Sequence, residues 1–152
     1  MSSKISEVYN QILVKLGELF PDKTRIPNAY SLIENNKRFL EDGYGLKVGS
    51  AEYQEFEFCN FVVSRTITVV FTREMYRVDS ELEPTDTIVK ELMENVVQTQ
   101  SLFYSYNELG IEAKILKVDI GSVSGIETFY GEKQNFLTMS CDFNFQIQEE
   151  IT

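Results

Sequence analysis

The feature that most limits how this chain can fold is an unbroken alternation of apolar and polar residues late in the sequence. One set of alternate positions is apolar and comprises Leu137, Met139, Cys141, Phe143, Phe145 and Ile147. The positions between them are polar and comprise Thr138, Ser140, Asp142, Asn144 and Gln146. Because successive side chains of a strand point to opposite faces, this period predicts a strand with one buried face.

Three other segments also have the character of strands. Residues 44–49 alternate between apolar side chains and glycine or lysine, and residues 60–75 are β-branched and aromatic almost throughout. Residues 111–120 alternate as well, but the alternation slips at Leu116, which predicts a bulge.

Two segments have the period of an amphipathic helix. Residues 5–20 carry an apolar stripe with a spacing of three or four, and Pro21 ends it. Residues 85–109 repeat the pattern, with Thr85 or Asp86 in a position to cap the first turn.

The order of these elements, α-β-β-α-β-β, indicates an α+β domain. We expect a mixed, mostly antiparallel sheet with two main helices packed on it, formed by residues 1–152 as a single domain. A crossover through residues 85–109 would make the second and third strands parallel, if both belong to the sheet. Residues 21–43 are expected to be a loop or a short helix, and residues 121–135 a long loop or an irregular hairpin arm.

Composition excludes several functional classes. The chain has no histidine, so Ser-His-Asp and Cys-His nucleophile systems and histidine zinc sites are impossible within it. Its 14 basic and 24 acidic residues give a net charge of −10, which disfavours tight binding to nucleic acid or to anionic membranes. No apolar run approaches a membrane span, and we expect the protein to stay in a reducing cytoplasm with Cys59 and Cys141 buried in strands.

The motifs that resemble active sites fail on their details. The glycines of 43–49 miss the dinucleotide-binding spacing and precede a strand, and 121–125 has Val123 where a nucleophile elbow needs serine. Glu55 with Glu57, and the acidic residues of 79–86, are better explained as solvated side chains than as catalytic or metal-binding carboxylates. We therefore predict no catalytic residue, no cofactor and no metal site.

The remaining candidate is a protein-binding surface in the long segment before the last strand. Aromatic side chains in loops are favoured anchors at protein interfaces, although they can equally fold back onto the core. The candidate interface residues are Ser122, Ser124, Ile126, Phe129, Tyr130 and Lys133.

The whole sequence resembles the tail terminator, or tail completion, proteins of long-tailed bacteriophages and related neck proteins. The resemblance lies in the order and hydrophobicity of the elements over nearly the whole chain. Its parts are the amphipathic helix 5–20, the segment Pro27-Asn28-Ala-Tyr30, the turn 40–49, a long strand ending in Val69-Val-Phe-Thr-Arg-Glu74, the helix 85–109 and the strand Thr138–Ile147.

The resemblance implies a non-enzymatic structural protein of the virion, assembled in the host cytoplasm. Such a protein forms a homo-oligomeric ring, typically a hexamer, that caps the tail tube and ends its polymerisation. Its partners would be the tail tube protein and a head-completion or stopper protein, with DNA passing through the ring without tight binding.

An alternative function is that of an acidic, monomeric inhibitor or immunity-type protein that blocks a basic partner. This alternative requires carboxylates concentrated on one face. In the sequence the acidic residues are instead spread over 7–149 and interleaved with lysine and arginine.

Overall fold

Long strands dominate the protein, and two helices cover one face of the sheet that they form. The computed structural model describes residues 4–32, 37–57, 60–75, 77–78, 81–82, 85–104, 115–130 and 135–150. Cys59, the predicted helix end 105–109 and the predicted strand start 111–114 lie outside these residues.

The secondary structure follows the predicted order, with short elements added. The helices are α1 (Lys4–Leu19), α2 (Lys37–Glu41) and α3 (Thr85–Tyr104). The strands are β1 (Thr24–Arg25), β2 (Asp42–Glu57), β3 (Asn60–Glu74), β4 (Arg77–Val78), β5 (Glu81–Leu82), β6 (Ile115–Val123), β7 (Glu127–Tyr130) and β8 (Asn135–Glu150). Segment 21–43, for which loop and short helix were both open, thus contains β1 and α2.

Six strands form one sheet in the part of the chain that the structure describes. Their order is β1-β2-β3-β8-β6, and β7 pairs with β8 on the same side as β6. Strands β1 and β2 pair in parallel, and the other pairs of this sheet are antiparallel. The prediction of an α+β fold with a mixed, mostly antiparallel sheet is confirmed.

The alternating segment late in the sequence lies inside the sheet as β8. It pairs with β3 along one side and with β6 and β7 along the other. The side chains of Cys141, Phe143, Phe145 and Ile147 are fully buried, as the period of two predicts. Because both sides of β8 are paired, this strand organises the sheet around it.

Helices α1 and α3 bury their apolar stripes against the apolar face of β8 and β3. Val8, Ile12 and Leu16 of α1 belong to the same buried cluster as Leu92 and Phe103 of α3. The ring of Phe103 lies edge-on to Phe143, with ring centroids 4.3 Å apart, and to Phe145, at 5.8 Å. This apolar layer is the main source of stability.

Two predictions about strands β3 and β6 are confirmed. Both strands run antiparallel to β8 on opposite sides of it, so they are parallel to each other. The register of β6 against β8 shifts between Ile115 and Lys117, where the slip at Leu116 predicted a bulge.

The second face of the sheet carries a smaller apolar cluster. Ile26, Leu40 and Phe136 are its buried members, and Leu32, Phe39 and Phe129 pack against them. The segment that follows β1 approaches so closely that a Cβ on Gly45 would lie 2.8 Å from the Ala29 Cβ. Gly43 and Gly45 therefore allow close packing within β2, rather than punctuating the chain before a strand.

Strands β2 and β3 are much longer than the average strand. They contain 16 and 15 residues, which corresponds to about 50 Å of extended chain. Helix α1 also has 16 residues, but at 1.5 Å per residue it spans about 24 Å. The hairpin of β2 and β3 is thus about twice as long as α1.

Candidate functional site

The first three predicted interface residues lie where β6 ends and the chain crosses to β7. Ser122 is exposed on β6, whereas Ser124 and Ile126 are half-buried in the short connection 124–126. Ile126 packs against the main apolar cluster. Of these three side chains, Ser122 is therefore the most available to a partner.

Hydrogen bonds attach this connection to the sheet. The Ser124 backbone N–H donates to the Ser140 carbonyl at 2.8 Å, and the Ser140 N–H donates to Ser124 Oγ at 2.9 Å. The same hydroxyl donates to the Gly125 carbonyl at 2.9 Å. Segment 121–135 was predicted as a loop or a hairpin arm, and the hairpin is observed, since β7 pairs with β8 from Glu127 to Tyr130.

The other three predicted residues differ in what the structure shows of them. The ring of Phe129 stacks on Phe136, with centroids 5.0 Å apart and planes inclined by 10°, so it supports the second apolar cluster. The backbone of Tyr130 pairs with Asn135, while its side chain lies outside the described part. Lys133 also lies outside the described residues.

Ser124 and Phe129 meet at a cavity on the second face of the sheet. The cavity has a volume of about 330 Å³, and Lys47, Glu127 and Thr138 also contribute to its lining. These groups provide hydrogen-bond donors and acceptors and one charge of each sign. These polar and charged groups make the cavity a candidate binding site.

A feature that sequence reasoning missed is the outer side of β6. We call residues 117–123 on this side the β6 edge; β6 is the last strand of the sheet among the described residues. Ile120 is 43% exposed and Val123 40% exposed, although both stand opposite buried residues of β8. Alternation assigned Ile120 to a strand face, but alternation cannot show that the strand is outermost.

The opposite side of the sheet is open in a similar way. Strand β1 pairs only with Gly43 and Tyr44 of β2, and the Tyr30 hydroxyl accepts the Val48 N–H at 2.7 Å. Residues 50–57 of β2, the β2 edge, have no further strand beside them in the described structure. Tyr53 on this edge is 65% exposed. Unpaired edges of this kind are templates for strand pairing between molecules.

The outward face of α3 adds an apolar stripe to the helix layer. Met93, Val97 and Tyr104 are all exposed large side chains, spaced by four and seven residues along the helix. Their spacing places them on one side of the helix. This stripe was not predicted from the sequence.

The carboxylates considered from the sequence do not assemble into a site in the described structure. Asp86 is exposed in the first turn of α3, while Asp79 and Glu83 lie outside the described residues. The side chains of Glu55 and Glu57 are also outside the described part. Over the residues that are described, no group of three or more carboxylate or thiol side chains is arranged to hold a metal ion.

Cys141 is buried in β8, as expected, and its thiol is protected from ionisation. Burial, together with a smaller effect of the neighbouring Asp142 carboxylate, raises the pKa of the Cys141 thiol from 9.0 to about 12. Burial likewise raises the pKa of the Tyr44 hydroxyl, against a smaller opposing effect of Arg25. Loss of the proton from either group is therefore less favourable in the folded state than in the unfolded state, so ionisation of these groups at high pH opposes folding.

We expect the free energy of unfolding to fall as the pH rises from about 9 to about 12. In this window the unfolded thiol loses its proton while folded Cys141 keeps it, so each pH unit costs up to about 1.4 kcal/mol from this group. Below pH 9 the contribution is fully present. Urea midpoints measured between pH 7 and pH 11 in a Cys59→Ser background test this, and adding Cys141→Ala should flatten the slope. An unchanged slope in that variant would assign the effect to other groups.

No helix within the described residues is long and apolar enough to cross a membrane. Comparison with protein-family models finds no match to the chain. A search of curated proteins finds no significant match either. The geometry of the open sheet edges, the cavity and the exposed apolar side chains is therefore the basis for inferring function.

Proposed function

We propose that this protein is a structural, non-enzymatic subunit of the tail terminator type, which assembles as a ring on the end of a phage tail tube. The observation that carries the proposal is the pair of open sheet edges, one on β2 and one on β6. A ring requires each subunit to offer two different, complementary surfaces, because its contacts are head-to-tail. The resemblance of the sequence to tail terminators supplies the phage context.

The directions of the strands favour pairing between these two edges. Neighbouring strands alternate in direction from β2 through β3 and β8 to β6, so β2 and β6 run in opposite directions. If subunits are related by rotation about an axis along the strands, the β6 edge of one meets the β2 edge of the next in antiparallel orientation. This is the commoner pairing of strands, and it would satisfy backbone groups on both edges.

The lengths and side chains of the edges are suited to this contact. The β6 edge offers seven residues (117–123) and the β2 edge eight (50–57). Ile120 and Val123 on one edge and Tyr53 on the other are exposed large apolar side chains. Burying them against a neighbour would remove apolar surface from water, which drives association.

The charge of the protein fits a ring through which DNA passes. A net charge of −10 per subunit is multiplied in a ring, and like charge opposes tight binding of phosphate. We propose that the inner rim of the ring is acidic and that DNA passes without being held. A ring whose lumen is basic would contradict this part of the proposal.

The proposal assigns the remaining surfaces to the tail tube protein and to a head-completion or stopper protein. Ser122 and the β6–β7 connection, together with the cavity beside it, form a candidate docking surface for one of them. Such a protein acts in the virion and assembles in the host cytoplasm, and it needs no cofactor or metal.

We expect Val123→Arg to weaken self-association at least about tenfold, or about 1.4 kcal/mol, because it replaces an exposed apolar side chain of the edge contact with a charge. Val14→Arg is the matched control, since Val14 is 51% exposed on α1, which is part of neither edge. Light scattering and sedimentation velocity over a range of concentrations, with and without tail tube protein, measure the effect. Both variants change the net charge equally, so a difference between them reports the position of the residue.

A strict monomer at all concentrations, also in the presence of tube protein, would contradict the ring. That outcome would favour the acidic inhibitor instead. The described acidic side chains do not favour it, because several are paired with bases: Glu18 pairs with Lys15 within α1, and Glu91 of α3 pairs with Arg73 of β3.

A further inference from the structure

We infer that a groove beside the start of α1 is a binding site for a carboxylate carried on an apolar body. The groove, called the Arg65 groove below, has a volume of about 540 Å³, within the range of small-molecule sites. Its lining includes Ile5, Tyr9, Asn10, Tyr30, Val48 and Arg65. None of the described residues that line it is acidic.

Arg65 lies on the helix-covered face of the sheet and has no carboxylate partner among the residues that the structure describes. It stands between Ala51 of β2 and Phe145 of β8. One terminal nitrogen donates to the Gly49 carbonyl at 3.1 Å, whereas the buried Nε has no hydrogen-bond partner among the described residues. A half-buried guanidinium is poorly satisfied by a single carbonyl, since its other N–H groups also need acceptors.

Arg73 provides an internal comparison on the same face of the same strand. Its Nε lies 3.1 Å from the Glu91 carboxylate, and one terminal nitrogen donates to the Glu74 carbonyl at 2.7 Å. The protein thus supplies a carboxylate to Arg73 but, in the described structure, none within ion-pair distance of Arg65. Because the chain has a net charge of −10, its carboxylates outnumber its cations, whereas Arg65 has no carboxylate partner among the described residues. A partly buried guanidinium of this kind is suited to the carboxylate of a ligand.

The other walls of the groove define the rest of the ligand. The planar guanidinium matches a carboxylate, and its single charge matches a monoanion better than a dianion, which this acidic protein would repel more strongly. Ile5, Val48 and the ring of Tyr9 offer apolar contact for the body of the ligand. The Tyr30 hydroxyl already accepts the Val48 N–H at 2.7 Å, so its own proton is directed elsewhere and is available to a second acceptor.

The described lining of the groove comes from one subunit, so the site can be tested on the monomer. The probe is 3-phenylpropionate, titrated against isotope-labelled protein, with 3-phenylpropanamide as its neutral counterpart. The Val48 amide is a built-in NMR reporter, because it donates to Tyr30 at the groove. We expect saturable shifts of this amide with the acid, and binding of the amide compound at least about tenfold weaker.

Variants separate the role of Arg65 from a general effect of charge. We expect Arg65→Met to weaken binding of the acid at least about tenfold and Arg65→Lys to weaken it less, since a lysine keeps the charge without the planar fork. Lys47→Met removes the same charge from the cavity on the other face of the sheet and should leave binding unchanged. N-acetylphenylalanine, which mimics the end of a peptide, identifies the source: tighter binding than 3-phenylpropionate indicates a polypeptide, weaker binding a free acid.

Three results would overturn the assignment. These are the absence of saturable shifts at Val48, equal affinity for the acid and the neutral amide, and equal weakening by Arg65→Met and Lys47→Met. The comparison of acid with amide uses the unmodified protein, so the inference can still be refuted if Arg65→Met fails to fold.

Discussion

Replacing Phe143 with alanine should lower the free energy of unfolding by about 4 kcal/mol, since deletion of a buried aromatic ring typically costs 3–5 kcal/mol. Phe143 is fully buried in the paired strand β8, and Phe103 of α3 lies edge-on to it at 4.3 Å. The variant loses this contact and leaves a cavity between the sheet and α3. Urea unfolding followed by circular dichroism measures the change.

Tyr104→Ala is the matched control for this prediction. Tyr104 is an aromatic residue on the same helix as Phe103, but it is 81% exposed. Its removal should change the free energy of unfolding by less than about 0.5 kcal/mol. A loss of under about 1.5 kcal/mol for Phe143→Ala would show that the α3–β8 layer is not the main core.

The parts of the fold that were predictable are those in which one local period determines the environment of each residue. In β8 the alternation from Leu137 to Ile147 is regular, and both sides of the strand are paired, so its apolar face has to be buried. In α3 the positions Ile88, Leu92 and Phe103 follow the helical period and are buried as predicted.

The parts that were not predictable depend on which elements become neighbours in space. Alternation places Ile120 on a strand face, but whether that strand is internal or outermost depends on pairing between residues distant in the sequence. The same applies to Arg65, because only the comparison with Arg73 and Glu91 in three dimensions shows that it has no carboxylate partner within the described part of the chain.

Two of the predicted interface residues also have contacts that the sequence did not reveal. Phe129 was selected as an aromatic anchor in a loop, but it stacks on Phe136 and supports the second apolar cluster. Ser124 was selected from the same segment and instead bonds to Ser140 of β8. Sequence reasoning selected this segment from its aromatic and polar residues, but it could not show which of its side chains hold the segment on the sheet.

Gly43→Ala should destabilise the protein by about 3 kcal/mol, the upper part of the range for overpacking a close contact. A Cβ at Gly43 would lie 2.1 Å from the Phe39 carbonyl oxygen and 2.9 Å from Ile26 Cγ1. Because the first of these atoms belongs to the backbone of α2, the clash cannot be relieved by a side-chain rotation. Urea unfolding gives the loss of stability, and amide hydrogen exchange at Ile26, whose N–H donates to the Tyr44 carbonyl at 2.7 Å, reports local separation of the strands.

Gly125→Ala should have the opposite effect on the free energy of unfolding. A Cβ at Gly125, in the connection between β6 and β7, meets nothing within 4 Å. The substitution therefore adds no clash and restricts the unfolded chain, which should stabilise the protein by up to about 1 kcal/mol. The pair separates close packing from a general effect of replacing glycine. Equal losses in both variants, or unaltered exchange at Ile26 in Gly43→Ala, would mean that the segment around α2 does not press against β2 in solution.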